Sequence, residues 1–163
     1  MITQEQAKEL FTYKDGQLFW TKTEKVAGSL KKNGYYFVNH KRKFTGLHRL
    51  IFLIHKGYLP EMVDHIDGNV SNNNIENLRA ATRSQNGMNS RHYSSNTSGC
   101  RNVYKDKHSF TVRLKVNGKL QSLGNYEDIE LAGLVAEEAR AKFHGQFAHQ
   151  SLRARVAQLE SKS

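Results

Sequence analysis

The run Val63-Asp64-His65-Ile66-Asp67-Gly68-Asn69 is followed by Asn72-Asn73-Asn74-Ile75-Glu76-Asn77-Leu78-Arg79 and then Ala80-Ala81-Thr82-Arg83-Ser84-Gln85-Asn86. Together these residues decide the fold around them. Glu61 to Ile66 has an apolar centre and reads as a short strand, Gly68 to Asn77 as a polar loop, and Leu78 to Ala81 as a second strand that pairs back on the first. Thr82 with Gln85 three places on is a capping box, in which each side chain satisfies a free backbone N–H at a helix start. The helix beginning there carries Asn86 at its fourth position, on a turn that can fold against the strand bearing His65. Asn72-Asn73-Asn74 reads as a turn, because Asn tolerates left-handed backbone and bonds to its own chain, and Asp67 reads as a turn former.

Counted from His65, Asn77 lies twelve residues on and Asn86 twenty-one. A Mg²⁺ ion takes oxygen ligands in octahedral geometry, often only one or two from protein, with waters and substrate phosphate completing the shell. Asp64 and Asn86 can supply that minimal pair. Adjacent strand residues point to opposite faces, so Asp64 and His65 share one site only where the strand ends or bends, and Asp67-Gly68 supplies the bend. A histidine, with an ordinary pKa near ~6.5, is mostly neutral at neutral pH and can take a proton from water. A hard cation beside such a base is equipment for phosphodiester hydrolysis.

These runs closely resemble the HNH endonucleases of ββα-metal fold, particularly phage homing-type members. The resemblance implies an endonuclease acting on double-stranded DNA with Mg²⁺, or Mn²⁺ in its place. Asp64 and Asn86 would bind the ion, His65 would activate the attacking water, and Asn77 would hold the His65 imidazole in its working orientation. The third letter of the motif is filled by Asn86, so a two-His metal site is not expected.

The chain has 163 residues, enough for one ordinary domain or two small ones, and two small ones fit better. Mean hydropathy is −0.70, and the longest apolar run, Leu50 to Ile54, is far too short to span a membrane. The N-terminus lacks the layout of a secretory signal. The single cysteine, Cys100, permits neither an intrachain disulfide nor a Cys-rich structural zinc site. The expectation is a protein of a reducing cytoplasm, that of a bacterial host, and phage-encoded.

A net charge of +10 invites a polyanionic partner, and its distribution says more. Residues 1–57 carry eleven Lys/Arg against four acids, 58–98 three against four, and 99–163 eleven against seven. The segment expected to hold a cation is the least basic, while its flanks can grip phosphates by counterion release. In the first flank, Gly34 to Val38 and Lys43 to Leu47 read as a hairpin with Asn39-His40-Lys41-Arg42 at its tip, and Lys41, Arg42 and Lys43 as contacts to DNA backbone. Leu47 to Gly57 reads as a buried helix stopped by Gly57. His48-Arg49 at its start also recurs in HNH relatives of this kind; the sequence attaches no role to it.

Past a polar linker, residues 93–98, three strand-like runs follow: Cys100 to Tyr104, Ser109 to Val116 and Lys119 to Gly124. Asn117-Gly118 joins the last two and is the strongest two-residue hairpin signal. Apolar residues from Ile129 to Phe143 at helical spacing, capped by Asp128 and ended by Gly145, predict one helix across the sheet. Phe110, Val112, Leu114 and Val116 would face it, leaving Thr111, Arg113 and Lys115 on the free face. Strict pairing across Asn117-Gly118 also puts Leu120 on that free face and Gln121 on the helix side, so either a bulge shifts the register or the third strand adds little to readout. Ser98 to His149 resembles the AP2/ERF DNA-binding domain through Gly99-Cys100-Arg101-Asn102-Val103-Tyr104, Leu123-Gly124-Asn125-Tyr126 and His144-Gly145-Gln146-Phe147-Ala148. By that resemblance Arg101, Tyr104, Arg113 and Lys115 face DNA. Ser122 stands where plant members often place Trp, so the plant recognition sequence is not implied.

The expected fold class is therefore α+β: an HNH unit at 1–92 with its ββα core at about 60–90, the linker, an AP2-like sheet and helix at 99–149, and a tail at 150–163 in which Leu152, Val156 and Leu159 suggest a short helix. One active site serves one strand, so the expected enzyme nicks as a monomer, or cuts both strands as a DNA-assembled dimer. The principal alternative is a non-catalytic DNA-binding regulator that uses the AP2-like sheet.

Overall fold

Among the described residues, three hairpins turn on two residues that both sit in the left-handed region: Asp15-Gly16 (φ 47° and 76°), Lys41-Arg42 (49° and 62°) and Asn117-Gly118 (50° and 79°). Positive φ at both central residues belongs to the turn whose twist matches that of the strands it joins. The structure, a computed structural model, describes residues 2–89 and 96–148. It is a mixed α+β protein with four helices and small antiparallel sheets among those residues, and it divides into two units, 1–86 and 87–163. The predicted tail helix lies outside the described residues.

In the first unit, α1 (Gln4–Leu10) starts at a Thr3 capping box with Gln6 and runs into the hairpin β1 (Phe11–Lys14) and β2 (Gln17–Trp20), which β3 (Val26–Ala27) extends. These elements lie outside the expectations set out above, although Thr3/Gln6 and Asp15-Gly16 are both legible signals. A second sheet comprises β4 (Ser29–Leu30), β5 (Tyr36–His40) and β6 (Lys43–Gly46). The tip between β5 and β6 is only Lys41-Arg42, because Asn39 and His40 continue the ladder, pairing with Phe44 and Lys43. Holding a non-glycine residue left-handed costs on the order of 1 kcal/mol each, so this basic tip is backbone under strain.

Helix α2 (Leu47–Lys56) is the centre of the unit. It ends at Gly57 with φ 82°, whose N–H returns to the Leu53 carbonyl at 2.9 Å, as the sequence predicts. Leu50, Ile51 and Phe52 are buried against Phe11, Leu18 and Val38 of the sheets. The two strands β7 (Met62–His65) and β8 (Leu78–Ala81) pair antiparallel, Asp64 opposite Arg79 and His65 opposite Leu78. Helix α3 (Arg83–Asn89) follows at once. Its Thr82–Gln85 capping box is formed in both directions, at 2.8 and 3.2 Å. The strand–loop–strand–helix reading is thus the arrangement seen.

In the second unit, β9 (Val103–Lys105), β10 (Phe110–Val116) and β11 (Lys119–Tyr126) make a sheet in the order β11–β10–β9, and α4 (Ile129–His144) packs on it through Ala132 and Ala136 against Val103 and Val112. Asp128 caps α4 by accepting from the Leu131 N–H at 2.8 Å. A bulge does occur, Val112 pairing with Gly124 but Arg113 with Ser122 so that Leu123 is the extra residue, yet it lies beyond Leu120 and Gln121, which keep the strict pairing with Lys115 and Leu114. Leu123 packs on the core, while Leu120 stays opposite Lys115 and is 64% exposed. Thr111, expected on the open face, is instead buried, and its hydroxyl donates to Asp106 at 3.3 Å.

The β1–β2 tip abuts the Asn-rich loop, since a Cβ added to Gly16 would lie 3.0 Å from the Asn74 backbone nitrogen. Gly16→Ala should therefore destabilise the fold by about 2 kcal/mol, from left-handed strain together with overpacking. Urea denaturation would read this as a lowered midpoint at unchanged m-value; an unshifted midpoint would show that the tip does not bear on the loop.

Candidate active site

Strand β7 ends at His65, and the Gly68 N–H returns to the His65 carbonyl at 2.8 Å, which is the bend that Asp67-Gly68 foretells. Beyond it the loop closes on Asp67. One carboxylate oxygen accepts from the Asn69 N–H (2.7 Å) and Asn77 Nδ2 (2.9 Å), and the other from Asn72 Nδ2 (2.9 Å). Asn77 answers by accepting from the Asp67 N–H at 3.0 Å and donating to the Asn72 carbonyl at 2.8 Å. Its own carbonyl accepts from the Ile66 N–H at 2.8 Å. Asn77 is the loop's clasp, its side chain turned to Asp67 and Asn72.

The carboxamide that meets the imidazole is that of Asn73. His65 Nε2 and Asn73 Oδ1 are 3.1 Å apart, and Asn73 Nδ2 donates to the Ser71 carbonyl at 3.2 Å, which orients the amide with its oxygen toward the ring. An accepting oxygen at Nε2 puts the imidazole proton there and leaves the lone pair on Nδ1. Asn73 is 3% exposed. Its reading as a turn former describes the backbone and omits this side-chain role, because nothing in a run of three asparagines says which one points inward.

His65 itself is 3% exposed, and burial holds its pKa below the ordinary histidine value, against the opposing influence of the Asn73 hydrogen bond and of Asp67 and Asp64. Its ring lies 5.2 Å from that of His48, on the first turn of α2, and 6.0 Å from Tyr35, which is itself 5.4 Å from His48. The sequence attaches no role to His48 or Tyr35, which are seventeen and thirty residues from His65 along the chain.

Asp64 is 5% exposed and receives Arg79 from the neighbouring strand, Nη2 at 2.6 Å and Nε at 2.8 Å from the same oxygen. The direct register partnership of the two residues produces this pair. Asn86 lies on the first turn of α3, half-buried. A carboxylate and a carboxamide offer only oxygen donors, the kind that a hard divalent cation takes. No group of three or more His, Cys, Asp or Glu able to hold a metal occurs among the described residues.

The residues expected to touch DNA fall into three groups. Lys41, Arg42 and Lys43 are exposed on their strained turn. Tyr104, Arg113 and Lys115 are exposed on one sheet face, with the Arg113 guanidinium 5.6 Å from the Tyr104 ring centre. Arg101 is different: its guanidinium donates to the carbonyls of Met88 (2.9 Å) and Gly87 (3.3 Å).

Burial drives the His48 pKa down to about 4, helped by His65 and Arg49. Between that value and the ordinary 6.5 the unfolded chain binds a proton that the native ring refuses, so stability is complete above pH 6.5 and declines as pH drops toward 4. For this group the loss is about 3 kcal/mol at pH 4. His48→Phe should flatten the fall of Tm, measured by circular dichroism, across that window; parallel curves for the two proteins would contradict the assignment.

A family model described as HNH endonuclease matches residues 45–88, the span from the end of β6 into α3 that contains His48, Asp64, His65, Asn73, Asn77 and Asn86. The chain is 34% identical over 132 residues to a protein of Acanthamoeba polyphaga mimivirus described as an uncharacterized HNH endonuclease, covering 79% of this chain and 68% of that one. It is 33% identical over 97 residues to protein 3.8 of Escherichia phage T7, covering 58% and 77% respectively. No solved structure matches it. With its clasped loop, tethered imidazole and strand-end aspartate carried on the matching segment, the chain belongs to the HNH endonuclease family.

Proposed function

We propose that this protein is a metal-dependent DNA endonuclease that hydrolyses phosphodiester bonds in duplex DNA at preferred sites, one strand at a time. The observation that carries this reading is the tautomer: the Asn73 oxygen accepts the Nε2 proton of His65 in a hydrogen bond, so Nδ1 holds the lone pair that a general base requires. Burial favours the neutral ring at physiological pH. His65 would remove the proton of the attacking water at Nδ1 as its oxygen approaches phosphorus in line with the departing 3′ oxygen. Asp64 and Asn86 would hold Mg²⁺ or Mn²⁺, which supplies neutralisation of the charge on the scissile phosphate and on the leaving oxygen. Arg79, drawn to the Asp64 carboxylate, keeps that side chain oriented. A ring as buried as His65 meets water only if its surroundings yield on DNA binding, and so turnover should depend on engaging the duplex.

The basic hairpin tip and the exposed Tyr104/Arg113/Lys115 face support separate phosphate and base contacts, the latter in the manner of an AP2-like sheet. No helix among the described residues is long and apolar enough to cross a membrane. Both similar proteins are viral, which favours a phage-encoded enzyme acting in the cytoplasm of a host cell, of homing type, as a monomer or a DNA-assembled pair.

Relaxation of supercoiled plasmid tests the reading. With Mg²⁺ the wild type should nick, EDTA should abolish nicking, and His65→Ala should lower the rate by about 10²- to 10⁴-fold, the span ascribed to general-base catalysis. DNA bound but left intact by the wild type would instead identify a regulator, and preferential cleavage of RNA or single strands would overturn the duplex assignment. Replacing Lys41, Arg42 and Lys43 by Ala should reduce the salt dependence of duplex affinity by about 0.9 in log–log slope for each phosphate no longer neutralised.

A further inference from the structure

We propose that His48, backed by Tyr35, is a positioning residue that sets the plane of the His65 imidazole. This rests on the reading of His65 as the general base. A hydrogen bond at Nε2 fixes one edge of the ring; the orientation of Nδ1 toward a water depends on what packs against the faces. Three rings from three different parts of the chain close on one another there. His48 stands 5.2 Å from His65 at 50°, Tyr35 6.0 Å from His65 at 62°, and Tyr35 5.4 Å from His48 at 51°. Tyr35 leads into β5, His48 lies on α2 and His65 ends β7, so the cluster ties the base to the body of the unit.

Gly46 strengthens the case. Its φ of −61° is available to any residue, so its backbone has no need of glycine. A Cβ there would fall 2.7 Å from His48 Cε1 and 3.1 Å from Nδ1. The glycine makes room for the imidazole. The residue after His48 contributes as well: Arg49 donates to the carbonyls of Glu61 (3.3 Å) and Pro60 (3.4 Å), joining the start of α2 to the segment that enters β7. His48 and Arg49 together thus set the spacing between helix and strand, Arg49 through the backbone and His48 through the ring. A neutral ring suits that place, since a cation would repel the imidazolium formed when His65 accepts a proton, and the low pKa of His48 accords with this.

The test pairs single-turnover plasmid nicking in Mg²⁺ with nitrogen-15 NMR of the His65 ring in the metal-free, DNA-free protein. His48→Ala should slow nicking roughly 10- to 100-fold, as displacements of about an ångström do, with DNA affinity within about 2-fold of wild type. The same variant should replace the single Nε2–H signature of His65 by an averaged one. His48→Phe, which keeps a ring and removes its nitrogens, should restore most of the rate and the signature. In a His65→Ala background, His48→Ala should cost nothing further. If His48→Ala does not fold, Gly46→Ala, which displaces the ring, takes its place with the same expectations. Wild-type rate and an unchanged His65 spectrum in these variants would overturn the proposal, as would a slow His48→Ala enzyme with an unaltered spectrum and no rescue by Phe, since His48 would then act on the substrate itself. A wild type that fails to nick at all would remove the nuclease reading, while the NMR comparison would still decide whether His48 positions His65.

Discussion

The hydrogen bonds between Asp67 and Asn77 are the constraint on which the site depends. They close a polar loop whose ends are held as β7 and β8, and they do so with a carboxylate as acceptor. Closing about ten residues costs roughly 2 kcal/mol in chain entropy by the logarithmic rule. Bonds to a charged group contribute about 1.5–3 kcal/mol each, and Asp67 accepts three of them from loop residues. The carboxylate therefore outweighs the entropy, and the loop can be polar without being loose. Asn73 is carried on that frame, and its carboxamide arrives at His65 with its orientation already settled by the Ser71 carbonyl.

Around the loop, the rest of the first unit acts as a mould. Tyr13 accepts the Ile75 N–H at 3.2 Å, and the Asp15-Gly16 turn presses on the loop backbone from β1–β2. The family match covers only residues 45–88, yet these contacts come from residues 13–16. A short strand–loop–strand–helix motif cannot bury enough apolar surface to stand alone, and α2 with its two sheets supplies what is missing. Along the chain, residues 58–98 are the least basic part, while residues 1–57 and 99–163 carry the excess of positive charge.

Electrostatics inside the site follow one rule, that charges are paired and bases kept neutral. Asp64 is buried beside Arg79, and a buried carboxylate without such a partner would be strongly penalised. His65 and His48 are both shifted toward the neutral form by burial. The second unit is built from different chemistry. Its bulge at Leu123 shifts the register at the far end of an eight-residue strand, while Leu120, on the hairpin side of the bulge, stays beside Lys115 as strict alternation requires.

Local signals are legible from the residues alone. The Thr82–Gln85 capping box, Gly57 as helix stop, Asp128 as cap and the Asn117-Gly118 turn are each decided within four or five residues, and the structure has all of them. Thr3/Gln6 and Asp15-Gly16 carry the same kind of information for the first helix and hairpin. The motif around Asp64, His65 and Asn86 was likewise visible, because the family pattern is a spacing along the chain. What the tertiary structure alone decided was which asparagine meets the imidazole, that Arg79 answers Asp64, where the bulge falls, that Thr111 is covered, and that Tyr35 and His48 close on His65. Those outcomes depend on register and on packing between residues from five to thirty positions apart, and neither propensity nor spacing encodes which way a side chain turns in such packing.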